Sequence, residues 1–72
     1  MLDKRDVWEK TCGMKSEGYD HAGRKILYSA YNNRNSLYGW SIDHIKPLAK
    51  GGTNKMCNLI AVHIETNDEK GE

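Results

Sequence analysis

The sequence WSIDHIKPLAKGGTNKMCNL, from Trp40 to Leu59, contains the clearest structural signals of this chain. Trp40 and Ile42 are two residues apart, so in a strand they share one face. Pro47 ends that strand, because proline has no N–H to donate to a β-ladder. The two adjacent glycines that follow indicate a compact loop, and the apolar run that begins at Leu59 indicates a second strand.

The segments on either side of this stretch complete the predicted order. Residues 59–62 are apolar and favour a short strand, and residues 63–70 favour a helix that Gly71 would end. Upstream, residues 25–31 favour a strand, and the asparagine-rich residues 32–35 favour a turn, since asparagine tolerates left-handed backbone angles. From the tryptophan onward the predicted order is therefore strand, loop, strand, helix.

The N-terminal third predicts a helix followed by a loop. Residues 3–10 favour a short helix, with Asp3 as its N-cap and Val7 and Trp8 on its apolar side. Residues 11–24 hold three glycines among polar neighbours and are predicted to be irregular.

The composition is that of one small folded domain. The chain has 72 residues, of which 38% are hydrophobic and 29% charged, a balance typical of folded proteins. No apolar run approaches the roughly 20 residues that span a bilayer, and the N-terminus lacks a signal-peptide core, so we expect the cytoplasm of the cell that makes the protein. Cys12 and Cys57 form no Cys-x-x-Cys pair, and we expect free thiols there, with a single disulfide left open.

Charge is distributed unevenly along the chain, although the net charge is only +1. Between residues 21 and 56 six basic residues face a single acid, Asp43, whereas most acids lie near the two ends. The six are Arg24, Lys25, Arg34, Lys46, Lys50 and Lys55. A basic middle suits a polyanion such as DNA, and a solvated surface of uneven charge is the alternative.

Five polar residues among the last 30 residues of the chain are candidates for chemistry. Asp43 and His44 are adjacent at the end of the first predicted strand, and Asn58 opens the second. His63 and Asn67 are four residues apart on the predicted helix, so they face the same way. Singly, each has a structural explanation as a surface, turn or capping residue.

Together these residues match a longer pattern. It consists of Asp-His-Ile-x-Pro, a Gly-Gly loop, Asn-Leu, a histidine or asparagine nine residues after that first asparagine, and then a lysine. This chain has each element, at Asp43, Gly51, Asn58, Asn67 and Lys70. Over about residues 23–71 it resembles the HNH endonuclease family, and the preceding Tyr-Gly-Trp is similar to small phage and prophage members.

The resemblance implies a fold. It is the ββα-metal unit, in which two antiparallel strands pack on one helix with the metal held between them. We therefore expect an α+β protein with an HNH nuclease domain over residues 23–72. Residues 1–22 would add an N-terminal helix and loop, and an additional N-terminal hairpin is part of this expectation.

One geometric difficulty is visible in the sequence. Adjacent residues of a regular strand point to opposite faces, so Asp43 and His44 can enter one site only if the strand bends or bulges there. The proline three residues further on makes such a strand ending plausible.

The resemblance also implies a reaction, the hydrolysis of DNA phosphodiester bonds to 3′-hydroxyl and 5′-phosphate ends. His44 would be the general base, because imidazole accepts and releases protons near neutral pH. The side-chain carbonyl of Asn58 would accept one ring N–H of His44 and thereby orient it. Asp43 and Asn67 would supply oxygen ligands to one divalent ion, which favours Mg²⁺ or Mn²⁺.

Family members with zinc knuckles have cysteines at the positions of His63 and Thr66, so a structural zinc site is not expected here. His63 could still be a third ligand of the catalytic metal, which would favour Zn²⁺ or Ni²⁺. Contact with a phosphate, or packing alone, is the preferred reading, because helical spacing permits ligation without requiring it.

The expected partner is DNA, with no membrane. Four lysines flank the site and are expected to contact the DNA backbone, without reading sequence: Lys46, Lys50, Lys55 and Lys70. The main alternative is a module of the same fold that binds DNA but does not cut it. A phage-packaging accessory that acts with a terminase is another, and homodimer formation stays open.

Overall fold

The computed structural model describes residues 3–70. Over these residues the chain forms two α-helices, four short strands and three single 3₁₀ turns. In chain order the helices and strands are α1 (Lys4–Cys12), β1 (Glu17–Tyr19), β2 (Lys25–Leu27), β3 (Trp40–His44), β4 (Leu59–His63) and α2 (Ile64–Lys70). The 3₁₀ turns are Tyr28–Ala30, Leu48–Lys50 and Met56–Asn58.

Strands β3 and β4 and helix α2 form a ββα unit, as predicted. The two strands are antiparallel and in continuous register, from Trp40 opposite His63 to His44 opposite Leu59. Helix α2 begins at the residue that follows β4 and packs on both strands. The predicted order of strand, loop, strand and helix is thus confirmed, together with the α+β class.

The core lies on the face of this ribbon opposite α2. Trp40 is fully buried there, and Ile42 packs beside it, as their spacing predicted. Helix α1 covers this face with Val7 and Trp8, and the rings of Trp8 and Trp40 lie 5.0 Å apart. Residues before the HNH-like region therefore share its hydrophobic core, which matters in a chain too short to form a second one.

Helix α1 is also tied to the ribbon by polar contacts. Its predicted cap is confirmed, because a carboxylate oxygen of Asp3 accepts the backbone N–H of Arg5 at 2.9 Å. The ammonium of Lys10 donates to the carbonyl oxygens of Met56 and Leu59, at 2.8 and 2.7 Å. These bonds hold the end of the loop between β3 and β4 against α1.

The stretch predicted as irregular contains a strand. Strand β1 pairs with β2 in an antiparallel hairpin, with Glu17 opposite Leu27. Three residues are too few to show the alternation by which strands are recognised, so the composition of residues 17–19 did not indicate a strand. The strand predicted over residues 25–31 stops at Leu27, while the predicted turn is present, with Asn32 at a φ of 56°.

A buried carboxylate joins this hairpin to the ββα unit. Asp20 is 5% exposed, and its Oδ1 accepts the backbone N–H groups of Ala22 and Arg24 within the turn. Its Oδ2 accepts the backbone N–H of His63 and the hydroxyl of Thr66, at 2.9 and 2.6 Å. Burial by itself raises the pKa of Asp20, but these four hydrogen bonds outweigh it and hold the pKa below its ordinary value.

Two further expectations concern thiols and membranes. Cys12 and Cys57 are both free, as expected. No helix within residues 3–70 has the length and apolar character needed to cross a membrane. The predicted stop at Gly71 lies outside the described residues.

Replacing Asp20 with asparagine tests the role of this carboxylate. We expect Asp20→Asn to lower the free energy of unfolding by about 2 kcal/mol near neutral pH, because hydrogen bonds to a buried charge are lost. Since the folded pKa is depressed, the contribution is complete above the unfolded value of about 3.9 and disappears as the pH falls through the folded pKa. Urea unfolding at about pH 7 and about pH 3 should therefore show a difference that narrows in acid. Asp6→Asn, on the exposed side of α1, is the control. An Asp20→Asn deficit that is equally large in acid contradicts this account.

Candidate functional site

The candidate site lies where β3 ends, between the loop that follows it and helix α2. Ser41 and Asp43 alternate with the core residues of β3, so they face α2. The Asn67 amide nitrogen donates to the Ser41 hydroxyl at 3.0 Å, and the Lys70 ammonium donates to the Asp43 carboxylate at 3.0 Å. Asp43 and Asn67 therefore lie on the same side of the ribbon.

Helix α2 presents the two residues that meet this face of β3. Asn67 and Lys70 are three residues apart, so they share one side of the helix. The Lys70 ammonium also donates to the carbonyl oxygen of His44 at 2.6 Å, which ties α2 to the end of the strand. Because Asn67 uses its amide nitrogen on Ser41, its amide oxygen remains a candidate ligand beside the carboxylate.

A surface cavity of ≈ 440 Å³ opens at this side of the strand end and contains the Asp43 and Lys70 side chains. Ile45 and Ile60 line its apolar part. His21, on the turn between β1 and β2, also lines it. His21 was not among the residues predicted from the sequence, and no local pattern indicates it, because its position depends on how Asp20 anchors that turn.

His44 lies on the other side of the strand end. The expected bend or bulge is absent, since the β3–β4 register continues unbroken to His44 opposite Leu59. The His44 Nε2 atom lies 2.7 Å from the side-chain oxygen of Asn54, in the loop. The Asp43 carboxylate and the His44 imidazole thus lie on opposite sides of the strand end, and both residues are partly exposed.

The expected contact between Asn58 and His44 is wrong. The Asn58 side-chain oxygen accepts the backbone N–H of Lys46 at 2.8 Å. Its amide nitrogen donates to the carbonyl oxygens of Lys46 and Thr53, at 3.0 and 2.7 Å. The amide is therefore occupied in closing the loop, and Asn54 contacts the imidazole instead.

The alternative that His63 binds the metal is also wrong in this structure. His63 is 5% exposed, and both ring nitrogens have partners. Nδ1 accepts the backbone N–H of Glu65 at 3.0 Å, which satisfies a free amide at the start of α2, and Nε2 donates to the carbonyl oxygen of Leu37 at 2.7 Å. A nitrogen that accepts one hydrogen bond and a nitrogen that carries a proton leave no lone pair for a cation. His63 therefore caps the start of α2 and packs in the protein interior.

The residues of the site fit a divalent cation, provided that water completes its coordination. Within residues 3–70, no three His, Cys, Asp or Glu side chains lie close enough to share a metal ion. The available donors are instead one carboxylate, from Asp43, and one amide oxygen, from Asn67. A small set of oxygen donors suits Mg²⁺ or Mn²⁺, which keep several waters. The Lys70 ammonium already forms an ion pair with the Asp43 carboxylate, so a cation can approach this carboxylate from the side of α2.

The basic middle of the sequence divides into two groups. Arg24 pairs with Glu69 and Arg34 pairs with Asp68, so the acids of α2 compensate both arginines, and Lys25 pairs with Glu17 of β1. The other group lies exposed on the loop between β3 and β4, and it comprises Lys46, Lys50 and Lys55. Lys70, which was expected to contact DNA, is engaged by Asp43 and His44 instead.

Comparison with known proteins agrees with this geometry. A ββα unit with a carboxylate and an amide between strand and helix, and a histidine at the strand end, defines the ββα-metal class. A sequence model of the HNH endonuclease family matches residues 23–72, which is more than half of the chain. The chain therefore belongs to the HNH endonuclease family. No curated protein and no solved structure matches it closely enough to count as a relative.

The ion pair between Lys70 and Asp43 yields a prediction about metal affinity. A divalent ion that binds Asp43 must compete with the Lys70 ammonium, so Lys70→Met should tighten Mn²⁺ binding. An exposed pair is worth about 0.2–1 kcal/mol, which corresponds to about a 1.4- to fivefold change in Kd. Electron paramagnetic resonance of free Mn²⁺ measures this Kd directly. Lys50→Met, on the exposed loop, is the matched control and should leave it unchanged. Weaker binding by Lys70→Met contradicts competition.

Proposed function

We propose that this protein is a metal-dependent endonuclease that hydrolyses phosphodiester bonds in DNA in the cytoplasm. The observation that carries the proposal is the placement of Asp43 and Asn67 on one side of the β3 end and of an oriented His44 on the other. A phosphodiester laid across the end of the strand would have the two oxygen donors on one side and the base on the other.

The proposed role of His44 is that of general base. Its Nε2 is held by Asn54, so Nδ1 is the nitrogen left to accept a proton from the attacking water. The Asp43 carboxylate and the Asn67 amide oxygen would hold a divalent ion, Mg²⁺ or Mn²⁺. When bound, such an ion neutralises charge on the phosphate and stabilises the leaving oxygen. The products would be 3′-hydroxyl and 5′-phosphate ends.

The loop between β3 and β4 would hold the DNA. Its three exposed lysines, Lys46, Lys50 and Lys55, belong to the same loop as Asn54. Contacts between these lysines and phosphates would position the backbone beside His44 without reading sequence.

Plasmid cleavage tests the proposal. Supercoiled plasmid is incubated with the protein and Mg²⁺, Mn²⁺ or Ni²⁺, with EDTA and His44→Ala as controls. We expect nicking that EDTA abolishes, and loss of the general base should slow it by about 10²–10⁴-fold. Equal cleavage by the wild type and His44→Ala would refute the mechanism. Retention of DNA without nicking in any of the three metals would instead favour a module that binds DNA and does not cut it.

Salt dependence tests the loop lysines. For each phosphate contact removed, the slope of log K against log salt should become shallower by about 0.9 on duplex DNA. We expect this change for Lys50→Ala and none for the matched control Lys15→Ala, which is exposed in the turn between α1 and β1. Fluorescence anisotropy with a labelled duplex over a salt series gives the slope. Identical slopes for the two variants would exclude Lys50 from the DNA interface.

A further inference from the structure

The contact between Asn54 and His44 assigns a role to a residue that no family pattern in the sequence identified. The side-chain oxygen of Asn54 lies 2.7 Å from His44 Nε2. A carbonyl oxygen can only accept, so Nε2 carries the proton and Nδ1 keeps its lone pair. We propose that Asn54 is the positioning residue of the reaction, which orients the His44 ring and holds it in the Nε2–H tautomer. This inference rests on the proposed function of His44.

The loop is constructed so that Asn54 can reach the imidazole. Asn58 binds both carbonyl oxygens that bracket the turn, those of Lys46 and Thr53. At Gly52 the backbone passes so close to Lys46 that an added Cβ would overlap its carbonyl oxygen. Because Thr53 is held in this way, the next residue, Asn54, lies beside the His44 ring.

The two asparagines therefore do different work. Asn58 bonds only to backbone groups of the loop, so its removal would loosen the loop itself. The hydrogen bond of Asn54 goes to the His44 ring, and the backbone bonds that close the loop do not involve its side chain. Replacing Asn54 should leave the loop folded and release only the imidazole.

Releasing the His44 ring in this way should lower kcat. Without Asn54 the ring can rotate and exchange tautomers, so only a fraction of molecules present a proton-free Nδ1 to the water. Loss of a partner that orients a histidine commonly costs about 10–100-fold. The affinity for DNA should not change, because the loop lysines are untouched.

Three variants separate orientation from structure. We expect Asn54→Ala to lower kcat by about 10–100-fold with KM and Tm unchanged. Asn54→Asp keeps an acceptor oxygen at the same place, so it should recover most of the lost kcat. Asn58→Ala should instead lower both kcat and Tm. These constants are measured on a defined duplex with Mn²⁺, and Tm by circular dichroism.

Nitrogen-15 NMR of the histidine rings reports the tautomer without any turnover. In the neutral form of the ring, His44 should show a protonated Nε2 in the wild type. Its signals should move toward a mixture of tautomers in Asn54→Ala and not in Asn54→Asp. His44→Ala identifies the signals that belong to this ring.

The outcomes distinguish this inference from the proposed function. A wild-type kcat in Asn54→Ala, a loss of Tm equal to that of Asn58→Ala, or an Nδ1–H tautomer in the wild type would each overturn the role of Asn54. If the wild type does not cut DNA but the tautomer changes as expected, the proposed function fails and the orientation of His44 by Asn54 stands.

Discussion

The pairing of β3 with β4 controls the positions of Asp43 and His44. Because the register is unbroken to the last residue of β3, side chains alternate strictly between the core face and the face that meets α2. That alternation places Asp43 beside α2 and His44 on the loop side. The separation of the two residues is a consequence of regular pairing, which puts the carboxylate and the imidazole on opposite sides of the strand end.

The loop between β3 and β4 is held as firmly as the strands, although it has little regular structure. The Asn58 amide makes three hydrogen bonds to its backbone, and Lys10 of α1 donates to carbonyls at its far end. Helix α1 lies outside the region matched by the HNH family, yet it supports that region through the core and through this lysine. The HNH domain therefore shares its hydrophobic core and two hydrogen bonds with the N-terminal segment.

The basic side chains in the middle of the sequence are compensated in one region of the structure and exposed in another. The acids of α2 pair with Arg24 and Arg34, while the lysines of the loop stay exposed. The excess of basic residues in the middle of the sequence thus becomes a local feature of one loop. Buried polar groups are compensated as well, since Asp20 accepts four hydrogen bonds and both His63 ring nitrogens are satisfied.

Much of this protein could be predicted from its sequence, because local signals are strong where they occur. The spacing of Trp40 and Ile42, the proline and glycines of the loop, and the Asp3 cap act over a few residues, and the structure confirms each of them. The HNH pattern combines several such signals, so it identified the family, and it pointed to Asp43 and His44 before their surroundings were known.

Only the tertiary structure decided which of these residues meet. Asn54 and Asn58 are both asparagines in one loop, and the choice of the one that contacts His44 depends on how tightly the loop closes at Gly52. His63 has the spacing from Asn67 that a metal ligand would have. Its ring nitrogens are instead bonded to the backbone N–H of Glu65 and to the carbonyl oxygen of Leu37. Hydrogen bonds between residues far apart in the chain follow from packing, and no local pattern of residue types encodes them.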